Sequence, residues 1–398
     1  MRKLSIAMAL LFLALLAGCS VACPAGASIV TTAPETTQRT IEPSTETTAE
    51  TTADTTSEAT VLSPVKIYLE QMSLEEKVGQ LFLARCPANG ATEAIADYQL
   101  GGYILFNRDF ENKDAVTILN TISAYQRISR IPMLIAVDEE GGSVTRVSCN
   151  SALRQERFYS PRYLYTQGGL DAIVAAEQEK CTLLRSLGIN VNMGPVCDIA
   201  QDPAAFMYNR SLGECPEITG QFAAAVTKVM AQNKVGSVLK HFPGYGNNAD
   251  THDGIAVDSR TLESLVCNDL QPFASGITAQ CDAILVSHVI VQCIDPQLPA
   301  TLSPAVHEYL RNEMGFDGVI VTDDLVMEAV RSQYGVGESA VLAILAGNDL
   351  LCVSEYAAQY DAVIHAIYTG RIPMTLIDSA VTRILLWKAD LGLIDLNQ

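Results

Sequence analysis

Past residue 62 the chain alternates short apolar runs with longer amphipathic stretches. Eight runs bounded by turn residues occur in order: Gln80–Ala84, Tyr103–Phe106, Met133–Val137, Val191–Gly194, Ser237–Leu239, Ala283–Ser287, Val319–Val321 and Leu350–Val353. They are continuous rather than alternating, the pattern of parallel strands covered on both faces. Helical patterns such as Asp171–Leu187 and Ile218–Gln232 fill the intervals. Eightfold alternation of strand and helix predicts an α/β fold, a (β/α)8 TIM-type barrel, as one domain over residues 63–398. The alternative is an open doubly wound sheet, which would call for a glycine-rich phosphate loop after an early strand; none has the required form.

The N-terminal pattern differs. Met1-Arg2-Lys3 is basic, and Leu4 to Ala17 is almost unbroken apolar sequence. That run is shorter than the roughly 20 residues needed to span a bilayer, so it reads as a signal-peptide core. It closes on Leu16-Ala17-Gly18-Cys19, the form of a bacterial lipobox. Residues 1–18 are therefore expected to be a lipoprotein signal peptide. Cys19 would be the lipidated residue, placing the protein on the extracytoplasmic face of the cell membrane. An ordinary secretory signal with a coincidental cysteine and a retained transmembrane helix are the alternatives. Residues 19–62 are expected to be a disordered spacer: thirteen threonines lie between Thr31 and Thr60, without one aromatic residue. Such a segment cannot bury enough apolar area to offset its ordering entropy.

Composition removes some functions. A net charge of −19 and the lack of a Lys/Arg cluster argue against nucleic acid as a partner. Of eleven cysteines, nine fall in the predicted domain, scattered and with no CxxC pair or zinc-type spacing. Cys267, Cys281 and Cys352 sit in apolar contexts and read as small buried hydrophobes. No metal or cofactor is expected, no disulfide is assigned, and a monomer is expected.

In a barrel, reactive groups gather just past the strands. Asp138-Glu139-Glu140-Gly141-Gly142 and Arg146 follow the third run, Asp198 and Arg210 the fourth. Lys240, His241, Asp250 and His252 follow the fifth, His288 the sixth, and Asp323-Asp324 the seventh. Any one of these could be a cap or a satisfied core residue; the ensemble points to chemistry at one mouth. Glycosyl transfer needs a nucleophile on one side of the anomeric carbon and a proton donor on the other. Asp323 is placed as the nucleophile. His252 is the candidate acid and then base, its ordinary pKa being near working pH, and Asp250 two residues earlier could orient it. Arg146, Arg210 and Lys240 offer donors to sugar hydroxyls.

The Lys240–His252 segment, KHFPGYGNNADTH, resembles the signature of the β-N-acetylhexosaminidase (β-N-acetylglucosaminidase) branch of glycoside hydrolase family 3. The resemblance extends in order through SLEEKVGQLF, LGGYILFNRD, VDEEGGSVTR, NRSLG, FDGVIVTDDLVM and AGNDLL, across the whole predicted domain. It implies a retaining exo-β-N-acetylglucosaminidase acting on peptidoglycan fragments or related glycans. Asp323 would carry the glycosyl-enzyme, and Asp250 and His252 would be the acid/base dyad. Asp138, Arg146, Arg210, Lys240 and His241 would hold the N-acetylglucosamine unit. Asp324, by strand alternation, would turn elsewhere. The sequence departs from the commoner pattern at Tyr245 (often His), Glu139 (often Gln) and Ser143 (often Arg), and the segment between Gly246 and Asp250 is one residue shorter. These departures bear on substrate choice.

Three other readings stand beside this one. The β-glucosidase branch is disfavoured because Asp324, not Trp, follows Asp323, and no further domain is expected after the barrel. A phosphorylase or a family 3 enzyme of other β-glycoside specificity is the main alternative. A non-catalytic glycan-binding lipoprotein is the more distant one.

Overall fold

The computed structural model describes residues 64–246, 248 and 254–396. Eight parallel strands run in chain order around a barrel: β1 (Phe82–Arg85), β2 (Gly102–Leu105), β3 (Leu134–Val137), β4 (Val191–Asn192), β5 (Gly236–Phe242), β6 (Ala283–Val286), β7 (Val319–Thr322) and β8 (Leu351–Val353). β8 pairs with β1, Phe82 opposite Leu351. A parallel bridge between Val321 and Leu350 completes the ring, with Leu350 N donating to Ile320 O at 3.1 Å. A separate two-stranded pair, Val257–Asp258 with Ile290–Val291, lies outside it.

All eight expected runs are strands, with ends shifted by a few residues. The largest change is in β5, which continues past Leu239 through Lys240 and His241 to Phe242, all buried. An apolar-run criterion stops at the first charged residue, whereas the backbone ladder does not.

Helices pack outside. α1 (Leu74–Gln80) opens with a capping box: Ser73 Oγ accepts from Glu76 N at 3.2 Å and Glu76 Oε2 from Ser73 N at 2.8 Å. α2 (Ala91–Tyr98), α3 (Ala115–Ile128), α4 (Pro161–Ser186) and α5 (Pro216–Gln232) follow. α4 begins ten residues before the expected Asp171 because it is two helices joined at Gly168 and Gly169, whose backbones are non-helical. That interruption breaks the apolar period, so the sequence shows only the second half. α6 (Leu262–Cys267) and α7 (Leu270–Thr278) precede β6, and α8 (Val336–Ala346), α9 (Tyr356–Tyr368) and α10 (Met374–Asp390) come after β7.

Strand alternation divides the core. Leu83, Ile104, Leu134, Val191, Val238, Leu285 and Val321 point into the barrel, while Phe82, Ile135, Leu239 and Ile320 face the helices. Ile384, Trp387 and Leu391 of the α10 region join the interior cluster and close the end from which the strands start. A Cβ on Gly236 would stand 2.7 Å from Trp387 Cζ2, so a glycine is required for the indole to fit. At the opposite end the described residues leave a cavity over the strand ends.

Cys281 and Cys352 are buried thiols, and burial pushes both well above the ordinary thiol value. Cys267 is not a packed hydrophobe: Cys215 and Cys267 are disulfide-bonded. Each sits at a helix end, Cys215 before α5 and Cys267 last in α6, where sulfur can leave the packed face. The other seven cysteines of the described residues are free.

Candidate active site

The end where the strands finish holds a cavity of about 370 Å³ lined by residues from most of the strand ends. Its polar floor begins on β5. Lys240, 2 % exposed, donates to Asp138 Oδ1 at 2.7 Å and lies 2.7 Å from Glu140 Oε1. Arg210 takes Glu140 from the other side through both nitrogens, Nη2 to Oε1 at 2.7 Å and Nε to Oε2 at 3.0 Å. The same Nη2 lies 3.2 Å from His241 Nε2, and His241 Nδ1 lies 2.8 Å from Asp198 Oδ2. An arginine can only donate and a carboxylate can only accept, so the contacts place hydrogen on Nδ1 and a lone pair on Nε2. Asp198, 1 % exposed, also accepts from the backbone N–H of His241 and of Tyr245, at 3.1 and 2.7 Å.

This floor fixes charge where water is scarce. For Glu140 burial alone would raise the pKa, but Lys240 and Arg210 outweigh it and hold the carboxyl well below the usual range. For Lys240 burial alone would lower the pKa; Asp138 and Glu140 reverse that, so the ammonium is held above its ordinary value. The floor therefore presents fixed ionic donors and acceptors at neutral pH.

Arg146 reaches the cavity through a turn organised by Glu139. The buried Glu139 carboxylate accepts from the backbone N–H of Arg146 (2.8 Å), Val147 (2.7 Å) and Ser148 (3.2 Å), and from the Ser148 hydroxyl. Gly141 makes the turn with φ of 100°, and a Cβ there would stand 2.3 Å from Tyr159 O. Arg146 Nη1 then donates to Asn107 Oδ1 at 3.1 Å, and Nη2 lies 3.8 Å from Asp138 Oδ2.

Asp323 follows the last residue of β7 and lines the same cavity. Its Oδ1 accepts from Asp324 N at 2.9 Å, and its own N–H donates to Val286 O at 3.1 Å. Asp324 was expected to turn away, yet it also lines the cavity. β7 ends at Thr322, so strand alternation no longer governs the two aspartates. Asp324 is occupied differently, however: Oδ2 accepts from Ser354 Oγ at 2.6 Å and Oδ1 from Val326 N at 3.1 Å, and burial pushes its carboxyl up. His288 is buried against Thr301 Oγ1 and Asp324 O, in a supporting place.

Six of the expected site residues thus stand around one cavity: Asp138, Arg146, Arg210, Lys240, His241 and Asp323. Asp250, His252 and Cys19 lie outside the described residues. Glu140 does not stand out in the sequence, because it lies past the end of β3 and its partner Arg210 is 70 residues away. Asp198 was visible as a strand-end residue, but its grip on His241 was not. Tyr245 stacks edge-on to His241 and Phe206, at centroid distances of 5.3 and 5.6 Å, and forms the cavity wall with Phe206 and Phe106. Among the described residues, no group of three or more His, Cys, Asp or Glu is disposed to hold a metal ion.

The model of the glycosyl hydrolase family 3 N-terminal domain matches residues 73–386. The chain belongs to this family. A β-hexosaminidase of Stenotrophomonas maltophilia (strain R551-3) is 33% identical over 273 residues, covering 67% of this chain and 80% of its own. Among solved structures, the family 3 β-N-acetylglucosaminidase from Paenibacillus sp. str. FPU-7 superposes with a TM-score of 0.76 at 33% identity. That match covers 81% of this chain but only 63% of the Paenibacillus chain, just under two thirds. The β-N-acetylhexosaminidase from Beutenbergia cavernae DSM 12333 gives 0.72 at 26% identity, covering 80% of this chain and 99% of that one. Within glycosyl hydrolase family 3 these relatives place the chain in the β-N-acetylhexosaminidase branch, and the closed barrel is the family 3 catalytic fold.

Proposed function

We propose that this family 3 glycoside hydrolase is a retaining exo-β-N-acetylglucosaminidase that removes terminal N-acetylglucosamine from peptidoglycan fragments or related glycans. The carrying observation is the convergence of Asp323, Asp138, Arg210, Lys240 and His241 on one cavity of about 370 Å³, with Lys240 and Arg210 held by Glu140. Its volume falls in the usual range for small-molecule sites. In this reading Asp138, Arg146, Arg210, Lys240 and His241 hold the hydroxyls and acetamido group of the terminal sugar. Asp323 attacks the anomeric carbon, and His252, oriented by Asp250, protonates the departing oxygen. The same imidazole then takes a proton from water as the glycosyl–Asp323 ester is cleaved, restoring the β configuration.

We also propose that the enzyme works outside the cytoplasm, tethered by a lipid on Cys19 beyond the spacer of residues 19–62. The disulfide-bonded Cys215 and Cys267 support an oxidising compartment. Among the described residues no helix is long and apolar enough to cross a membrane.

The test is hydrolysis of p-nitrophenyl β-N-acetylglucosaminide followed by NMR of the first sugar released. The expected product is the β-anomer, and Asp323→Ala should lower turnover on the order of 10⁴-fold. An α-anomer as first product, or a rate untouched by Asp323→Ala, refutes the mechanism. Production of N-acetylglucosamine 1-phosphate in phosphate buffer would instead make the enzyme a phosphorylase.

A further inference from the structure

Between β4 and α5 the chain makes an excursion from Ala200 to Ser211, and this segment carries Arg210 into the active-site floor. It has little apolar sequence to anchor it. Residues 201–204, Phe206 and Asn209 are exposed, and between its ends only Met207 is buried. The two ends are instead tied by one guanidinium. Arg162, in the first turn of α4, donates from Nη2 to Ala200 O at 2.6 Å and to Ser211 Oγ at 3.1 Å. Its Nε donates to Tyr208 O at 3.1 Å. The Ser211 hydroxyl donates to Ala200 O at 3.2 Å, which closes the excursion on itself. Arg162 Cζ lies 3.9 Å from the centre of the Tyr208 ring. A Cβ on Gly213 would overlap Arg162 Nη1, so the guanidinium also lies directly against that backbone.

Only a planar fork with several N–H groups can hold two carbonyls and a hydroxyl at once; a lysine offers a compact charge on a flexible stem. Among the described residues no carboxylate pairs with Arg162, so its place answers to these neutral acceptors and the Tyr208 ring. Two of the acceptors, Tyr208 and Ser211, bracket Arg210 in the chain, two residues before it and one after. The Arg210 backbone is further tied by its own N–H, which donates to Met207 O at 3.0 Å. From this fixed stem the Arg210 guanidinium reaches both oxygens of Glu140, at 2.7 and 3.0 Å, and Nη2 lies 3.2 Å from His241 Nε2. Arg162 itself does not line the cavity.

We infer that Arg162 is a positioning residue for recognition of the terminal sugar: by joining both ends of the 200–211 excursion to α4 it sets where Arg210 presents its guanidinium. The inference rests on Arg210 contacting that sugar, as read above. A brace of this kind acts through Arg210 alone. Its removal lets the exposed segment drift, and a donor displaced by about 1 Å falls outside the narrow range of a good hydrogen bond. Once Arg210 no longer offers its donors, the brace has nothing left to place.

The experiment measures binding of free N-acetylglucosamine by titration calorimetry, with thermal midpoints alongside. It compares the full chain with Arg162→Met, Arg162→Lys, Arg210→Met and the double variants that join each Arg162 change to Arg210→Met. Arg210→Met should weaken binding about 30-fold and Arg162→Met about 10-fold, the scale of losing charge-assisted hydrogen bonds to the sugar. The double variant should bind within about 2-fold of Arg210→Met alone. Arg162→Lys should lose about 5-fold, and its own double variant decides the matter if Arg162→Met does not fold. Losses that multiply in the double variants, or a lowered thermal midpoint with sugar binding unchanged, overturn the proposal. If Arg210→Met weakens binding and the Arg162 variants do not, this inference alone fails. If Arg210→Met leaves binding unchanged, the reading of Arg210 as a sugar-holding residue falls and takes this inference with it.

Discussion

The two ends of the barrel use the same residue types for opposite purposes. At the end where strands begin, Asp349 accepts from Arg311 (2.5 Å) and Ile320 N (2.8 Å) on one oxygen and from Arg383 (2.9 Å) on the other. Asp282 accepts from both the backbone N–H and the hydroxyl of Ser237, at 2.8 Å each. Lys388 is sealed in with one amide partner, Gln80 Oε1 at 2.6 Å, and burial pushes its ammonium down to about 7. Trp387 fills what space remains. There, charged groups finish strand ends, and Trp387 Nε1 is buried without a hydrogen-bond partner. At the other end the ions bind chiefly one another, and the cavity lies over them. A polar residue before a barrel strand therefore reads as closure, and one after it as chemistry.

That contrast breaks most sharply at Lys240. Lys240→Met should reduce kcat/KM on aryl β-N-acetylglucosaminides about 10²- to 10³-fold, because it removes a buried ionic donor and leaves Asp138 and Glu140 facing each other. Near-normal kinetics would show that the floor is only structural. Glu140→Gln, next in size, should cost roughly 3 kcal/mol of stability by stranding part of the Lys240–Arg210 charge. The sign with pH is fixed by the Glu140 carboxyl being held below its ordinary value near 4.5. Its contribution is present above that value and is lost as pH falls below it, so melting curves of parent and variant should converge in acid. Curves that stay parallel would refute the pairing as the cause. The smallest effect is expected at the closed end. Arg383→Ala should cost about 1 kcal/mol in denaturant unfolding and leave kcat and KM within about 2-fold of the parent. A large change in KM would erase the distinction between the two ends.

Much of the fold was readable because parallel strands buried on both faces are written as plain apolar runs. The misreadings have physical causes. β5 was cut short at Leu239 because Lys240 and His241 are ladder residues buried by ion pairing rather than by apolarity. The first half of α4 was missed because Gly168 and Gly169 interrupt the helical period. Cys267 read as a hydrophobe because a disulfide depends on a distant neighbour. In the site, the strand-end rule brought out Asp138, Lys240 and Asp323. Glu140 and Asp198 owe their importance to partners 70 and 43 residues away, Arg210 and His241, which no local pattern displays.

The run from Asp198 through His241, Arg210, Glu140 and Lys240 to Asp138 alternates acceptor and donor along its whole length. With Arg146 beside Asp138, three carboxylates meet three cations, so the string projects many directional dipoles and little net field. An uncharged pyranose can settle on it without bringing or expelling a counter-ion. Discrimination then falls to the placement of each hydroxyl and amide, which is how a strongly acidic protein can keep a neutral ligand over an ionic floor walled by Phe106, Phe206 and Tyr245.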